Sequence, residues 1–156
     1  EGRDLVLMLI SSEENLARWD EIRQSQMLLA DPVQLQRQKN GDLSAVLKDL
    51  PAVVWLSYNV HGDESSATEA ALATMHQLID GAGDRWDSIR RNTLIIADPL
   101  LNPDGRERYL QWYNSVRAHP ADPDPLAREH SPPSPSGRTN HYYFDLNRDW
   151  AFTSVS

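Results

Sequence analysis

Ala52-Val53-Val54-Trp55-Leu56-Ser57-Tyr58-Asn59-Val60-His61-Gly62-Asp63-Glu64 is the stretch on which the fold turns. Its first nine residues are apolar, β-branched or aromatic with little interruption, and they predict a buried strand. His61-Gly62 then breaks the run. After Asp63 the period changes: Ala71, Met75, Leu78 and Ile79 fall on one face of a helix, and Gly81 closes it. A buried strand followed by an amphipathic helix is the unit of an α/β sheet, in which ligands collect at the carboxyl ends of strands. That places His61 and Glu64 at a candidate site.

The same alternation extends in both directions. Upstream, Leu5 to Ile10 predicts a strand. Ser11-x-x-Glu14 reads as the capping box of a helix carrying Leu16, Trp19 and Ile22. Ala30-Asp31-Pro32 is expected to stop that helix, with a polar stretch to Gly41 and a short helix over Leu43 to Leu50 ended by Pro51. Downstream, an amphipathic stretch at Trp86 to Arg91 precedes a strand over Thr93 to Ala97. A turn at Asn102-Pro103-Asp104-Gly105 follows, then a helix over Arg106 to Val116. From His119 to Gly137 the chain is dense in Pro, so a long irregular loop is expected there, and loops of that length in compact domains are often functional. Tyr142 to Leu146 reads as a last short strand. No internal repeat is visible. The alternation predicts an α/β sandwich with a mainly parallel central sheet.

At 156 residues and 40% hydrophobic, the chain has the size of one ordinary domain or part of one. Its formal charge of −8 argues against nucleic acid or an anionic membrane surface as a partner. With no Cys, a metal would have to be held by His and carboxylate. The apolar runs are too short to cross a bilayer.

Three strings carry chemistry: His61-Gly62-Asp63-Glu64, Asn102-Pro103-Asp104-Gly105 and Asp145-Leu146-Asn147-Arg148. A His and a Glu three apart at a strand-to-helix turn can reach one divalent metal, and Arg beside Asn can bind a carboxylate through two parallel hydrogen bonds. Each has a structural alternative. His61 could be a hydrogen-bonded loop histidine, Glu64 a carboxylate stabilising a helix N-terminus, and Arg148 the partner of Asp149. An H-x-x-E spacing arises by chance in about one such chain in four, whereas a specified tetrapeptide such as NPDG or DLNR arises on the order of once in a thousand.

The wording and order of these strings resemble the zinc carboxypeptidases of the carboxypeptidase A type. The resemblance covers nearly the whole chain and refines the expected fold to a three-layer sandwich with a mixed, mainly parallel central sheet of eight strands flanked by helices. It implies zinc as cofactor with His61 and Glu64 as two of its ligands. Asn147 and Arg148 would bind the substrate's terminal carboxylate, and an upstream Arg would stabilise the oxyanion. Arg138, seven residues before Asp145, is preferred for that last role over Arg117, fifteen after Asn102, because the Pro-rich segment makes counting from Asn102 unreliable. Asp145 is expected to be structural and to orient a metal-bound His. NPDG is expected to be structural.

In this family the third ligand is a His, and the general base a Glu, well beyond the Asn-Arg pair. His76, His119, His130 and His141 are poor substitutes by position. The chain is therefore expected to be the amino-terminal part of a single peptidase domain lacking its carboxyl-terminal half. The fragment would be inactive alone, and the whole protein would hydrolyse peptides or proteins at a free carboxyl terminus. Relatives imply secretion or a periplasmic location. Two alternatives stay open: a zinc deacylase of the aspartoacylase and succinylglutamate desuccinylase type, and a non-catalytic peptide-binding relative.

Overall fold

The computed structural model describes residues 2–39 and 41–150. The elements are β1 (Met8–Ile10), α1 (Glu13–Ala17), α2 (Trp19–Ala30), α3 (Pro32–Lys39), α4 (Leu43–Leu47), β2 (Ala52–Ser57), α5 (Ser66–Asp80), α6 (Asp84–Asn92), β3 (Thr93–Asp98) and α7 (Pro103–Val116). Two single 3₁₀ turns follow, at Arg128–His130 and Leu146–Arg148. The chain is α/β, with a small mixed sheet of order β1-β3-β2 in which β1 and β3 run antiparallel, Leu9 facing Ile96. It divides into two compact units. Among the described residues, one comprises Met8–Leu56 and Met75–Ala97; the other comprises residues 2–7, Ser57–Thr74 and residues 98–150.

The first unit has its core at Ile10, Ile22, Leu35, Met75, Leu94 and Ile95, all buried. Several expectations are corrected here. The residue capping α1 is Ser12, whose hydroxyl accepts from the Asn15 amide. Ser11 instead donates to the carbonyls of Arg90 and Thr93, because it is drawn toward the end of α6. Asp31-Pro32 does end α2 but also starts α3, since the Asp31 carboxylate accepts from the amides of Val33 and Gln34 and Pro32 occupies the first turn, where no N–H is needed. Polar composition hid that helix.

Strand β2, read as buried, lies at an edge of the sheet and has Trp55 at 64% exposure and Val53 and Val54 near 38%, so neither of its faces is fully covered among the described residues. Leu5 to Leu7 are exposed, and only Met8–Ile10 pair. Gly81 closes α5 as expected: a Cβ there would meet the Gln77 carbonyl at 2.3 Å. The Arg90 guanidinium then donates to the carbonyls of Leu78, Ile79 and Gly81, which the helix end leaves unpaired.

The second unit begins where the strands end. The Tyr58 amide donates to the Asp98 carbonyl, Leu101 to Tyr58, and Asn102 to Asn59, so the two segments stay zipped past the sheet. Asn102-Pro103-Asp104-Gly105, expected as a turn ahead of a helix starting at Arg106, is the first turn of α7: Asn102 caps, Pro103 has the φ the position needs, and Gly105 lies within the helix. The Pro-rich segment is more ordered than expected. It winds round Glu129, a buried carboxylate that accepts from the amides of Ala118 (2.5 Å) and Asp122 (2.6 Å). Arg108 on α7 donates to the carbonyls of Ser136 and Asn140, pinning the segment's far end.

Tyr142 to Leu146 is a turn and not a strand. The Asn140 side chain accepts from the amides of Tyr142 and Phe144, and this holds Tyr143 at φ 66°. Among the described residues no helix is long and apolar enough to cross a membrane.

Candidate metal and carboxylate site

The turn after β2 is shaped by a residue that the sequence reading passed over. Asn59 sits at φ 55°, a left-handed conformation that Asn tolerates better than other side chains. Its buried amide donates to the carbonyls of His61 and Glu64, 3.0 Å each, which folds His61 back over Glu64. The only sequence signal was an Asn two residues before the His.

Gly62 is required by close approach. A Cβ there would lie 2.0 Å from the amide nitrogen of Arg106, and one on Gly105 would lie 2.3 Å from the Gly137 carbonyl. One on Gly137 would lie 2.5 Å from the Gly105 carbonyl, so three distant segments cross at three glycines. The Gly62 amide donates to Gly137 at 2.8 Å, and Ser136 donates to the Asp63 carboxylate.

The crossing brings His61, Glu64, Arg138 and Asp145 together. His61 is buried; its Nδ1 lies 3.1 Å from Glu64 Oε1, and its Nε2 lies 3.0 Å from Asp145 Oδ1. Arg138 donates through Nε to the other Asp145 oxygen at 2.8 Å and places Nη1 3.5 Å from His61 Nδ1. Burial works to raise the Asp145 pKa, but hydrogen bonds from His61 and Arg138 outweigh it and hold the carboxyl below its usual range. An ionised Asp145 fixes the proton of His61 on Nε2, leaving the Nδ1 lone pair on the Glu64 side.

The pair suits a metal. Zinc bonds of about 2.0–2.1 Å to nitrogen and 2.0–2.2 Å to oxygen span an N···O distance of roughly 2.9–3.4 Å for angles near 90–110°. The observed 3.1 Å falls within that span. Among the described residues no group of three or more His, Cys, Asp or Glu could hold a metal. His76 is exposed near Asp80, His130 meets the Asp122 carbonyl, and His141 stacks edge-on with Tyr142.

Asp145 also caps the turn carrying the Asn-Arg pair, accepting from the Asn147 amide at 3.1 Å. Asn147 and Arg148 are exposed; Asn147 Oδ1 accepts from the Trp150 indole, and the Arg148 guanidinium reaches the Asn147 carbonyl at 3.5 Å. Arg117 follows the last turn of α7, about 22 Å along the helix axis from Asn102 at ~1.5 Å per residue. Of the two arginines, it is Arg138 that lies against His61.

A His nitrogen and a Glu oxygen converging at the end of a strand, with an Arg beside them, form one side of the centre that a mononuclear metal hydrolase needs. Comparison with protein families gives the same class: residues 1–155 match the zinc carboxypeptidase family, peptidase family M14, and the chain belongs to it. Comparison with curated proteins and with solved structures gave no match.

Proposed function

We propose that this chain supplies two metal ligands, an oxyanion-stabilising arginine and the substrate-binding Asn-Arg pair of a zinc-dependent carboxypeptidase that cleaves peptides at a free carboxyl terminus. The observation that carries the reading is the convergence of His61 Nδ1 and Glu64 Oε1, 3.1 Å apart, with Arg138 Nη1 3.5 Å from the same His nitrogen. Zinc held by His61 and Glu64 would polarise the scissile carbonyl and make its bound water acidic.

The chain's own residues do the rest of the work on this side of the site. Asp145 keeps the His61 proton on Nε2. Arg138, anchored through Nε, keeps Nη1 available to the oxygen on which negative charge develops in the tetrahedral intermediate. Asn147 and Arg148 receive the terminal carboxylate, the Arg through paired N–H donors, which restricts cleavage to the last residue. The third ligand and the general base are assigned, with the family resemblance, to residues after this chain, which is then the amino-terminal part of the peptidase domain. A secreted or periplasmic location belongs to the same proposal.

The test uses the full-length protein with a peptide and its carboxyl-terminal amide. Release of the last residue from the free peptide alone, abolished by chelation and restored by zinc, is expected. Equal cleavage of the amide would overturn the assignment of Asn147 and Arg148. Unchanged bound zinc in both His61→Ala and Glu64→Ala would overturn the metal assignment.

A further inference from the structure

We infer that Asn102 is a positioning residue that sets Arg138 against the His61 turn; the inference rests on the roles proposed above for Arg138 and His61. Asn102 is 1% exposed and among the largest fully buried side chains. Its Oδ1 accepts from the Gly105 amide at 2.9 Å and so caps α7. Capping alone does not call for Asn, because Asp and Ser cap a helix about as well.

The other end of the side chain explains the residue. Nδ2 donates to the carbonyl of Val60, immediately before His61, at 3.3 Å and to the carbonyl of Arg138 itself at 3.2 Å. The orientation is unambiguous, since the Gly105 amide can only donate and the two carbonyls can only accept. Only an amide of this length offers one acceptor and two donors there. Ser lacks the second donor and Asp has none.

The Asn102 backbone amide also donates to the Asn59 carbonyl at 3.2 Å. One buried residue thus holds the helix start, the strand end that delivers His61 and the backbone of Arg138. Sequence separations of 42 and 36 residues are closed by the two amide hydrogens. Gly62, Gly105 and Gly137 bring the same three segments into backbone contact, so a shift of the Arg138 backbone cannot be absorbed by slack nearby.

The test removes the two donors and keeps the cap. Asn102→Asp retains an oxygen for the Gly105 amide but turns a carboxylate toward two carbonyls. Asn102→Ser retains a cap oxygen without the charge. The reporter is the Arg138 Nε–Hε signal in the ¹⁵N NMR spectrum of this chain without metal, identified by its disappearance in Arg138→Lys, because that proton donates to Asp145.

Hydrogen exchange at Arg138 Nε should quicken by about tenfold or more in both variants, while the Gly105 amide keeps its protection. Unchanged exchange in a folded variant would overturn the inference. So would unfolding of both variants, since Asn102 would then serve the fold as a whole.

In the full-length zinc protein, Asn102→Asp should lower kcat with little change in KM and add nothing on an Arg138→Ala background. Additive losses would overturn the inference. If Arg138→Ala itself leaves kcat intact, the fault lies with the role given to Arg138, and the exchange measurement still decides for Asn102.

Discussion

The turn at His61–Glu64 and the turn at Leu146–Arg148 share one residue, Asp145, and differ in nearly everything else. In the first, His61 and Gly62 are buried while Glu64 is exposed, and the turn is braced by Asn59 and closed against Arg138 and Asp145. The second is a single exposed 3₁₀ turn in which Asn147 accepts from the Trp150 indole and the Arg148 guanidinium reaches the Asn147 carbonyl. Groups that act on charge appearing during reaction gain from being fixed beforehand, because no reorganisation is then needed at the transition state. Groups that capture a substrate's carboxylate can stay exposed, since the substrate completes their hydrogen bonding. The first turn should therefore govern kcat and the second KM.

The largest effect should come from Arg138, held beside the first turn by Asp145. In the full-length zinc-loaded protein, Arg138→Ala should lower kcat by about a hundredfold or more with KM nearly constant, the usual result of removing an oxyanion donor. A dominant rise in KM would break the distinction between the turns.

The glycine crossing should respond almost as strongly, but in stability. Gly62→Ala places a methyl group 2.0 Å from the Arg106 nitrogen, so thermal unfolding should show a loss of about 3 kcal/mol or more. A melt equal to that of the unaltered chain would mean that the crossing is loosely held.

Arg148→Ala should raise KM by about tenfold or more and erase the preference for a free carboxyl terminus, leaving kcat at saturation little changed. Steady-state assays of acid and amide substrates separate these outcomes. Arg117→Ala should be near neutral in both constants, and a kcat loss there exceeding that of Arg138→Ala would reverse the assignment.

The smallest effect concerns a second buried carboxylate. Asp98 is 3% exposed, and burial raises its pKa although the Leu100 amide donates to it. A carboxyl raised on folding favours the fold below its unfolded pKa of about 3.9, and that contribution is lost as pH rises through the folded value. Asn at this position keeps the acceptor for Leu100 and has no charge to bury. Asp98→Asn should therefore melt slightly higher than the unaltered chain at pH 7, with the difference shrinking toward pH 4. Asp145, lowered against its own burial by hydrogen bonds from His61 and Arg138, shows what side-chain donors do to the same group.

Much of the local structure was legible because it depends on neighbours in sequence. The helix after Asp63, the strand at Thr93 and the aromatic helix ending at Val116 follow from residue spacing alone. Where reading failed, a competing partner lay elsewhere or composition misled. Ser11 lost the cap to Ser12 because distant carbonyls claimed its hydroxyl, α3 was hidden by its glutamines, and the aromatic run at Tyr142 became a turn because Asn140 binds two amides there.

For the site, the sequence by itself determined which groups are present: a His and Glu at one turn, an Asn-Arg pair at another, two candidate arginines and no thiol. It also carried the family, because NPDG and DLNR are rare strings in a telling order. Only the tertiary structure decided which arginine meets His61, that Asp145 bridges His61 and Arg138, and that Asn59 and Asn102 brace the turn. The physical reason is separation. His61 and Arg138 are 77 residues apart and His61 and Asp145 are 84, and such pairs meet through the glycine crossing and buried amide hydrogen bonds, whose geometry no local period encodes.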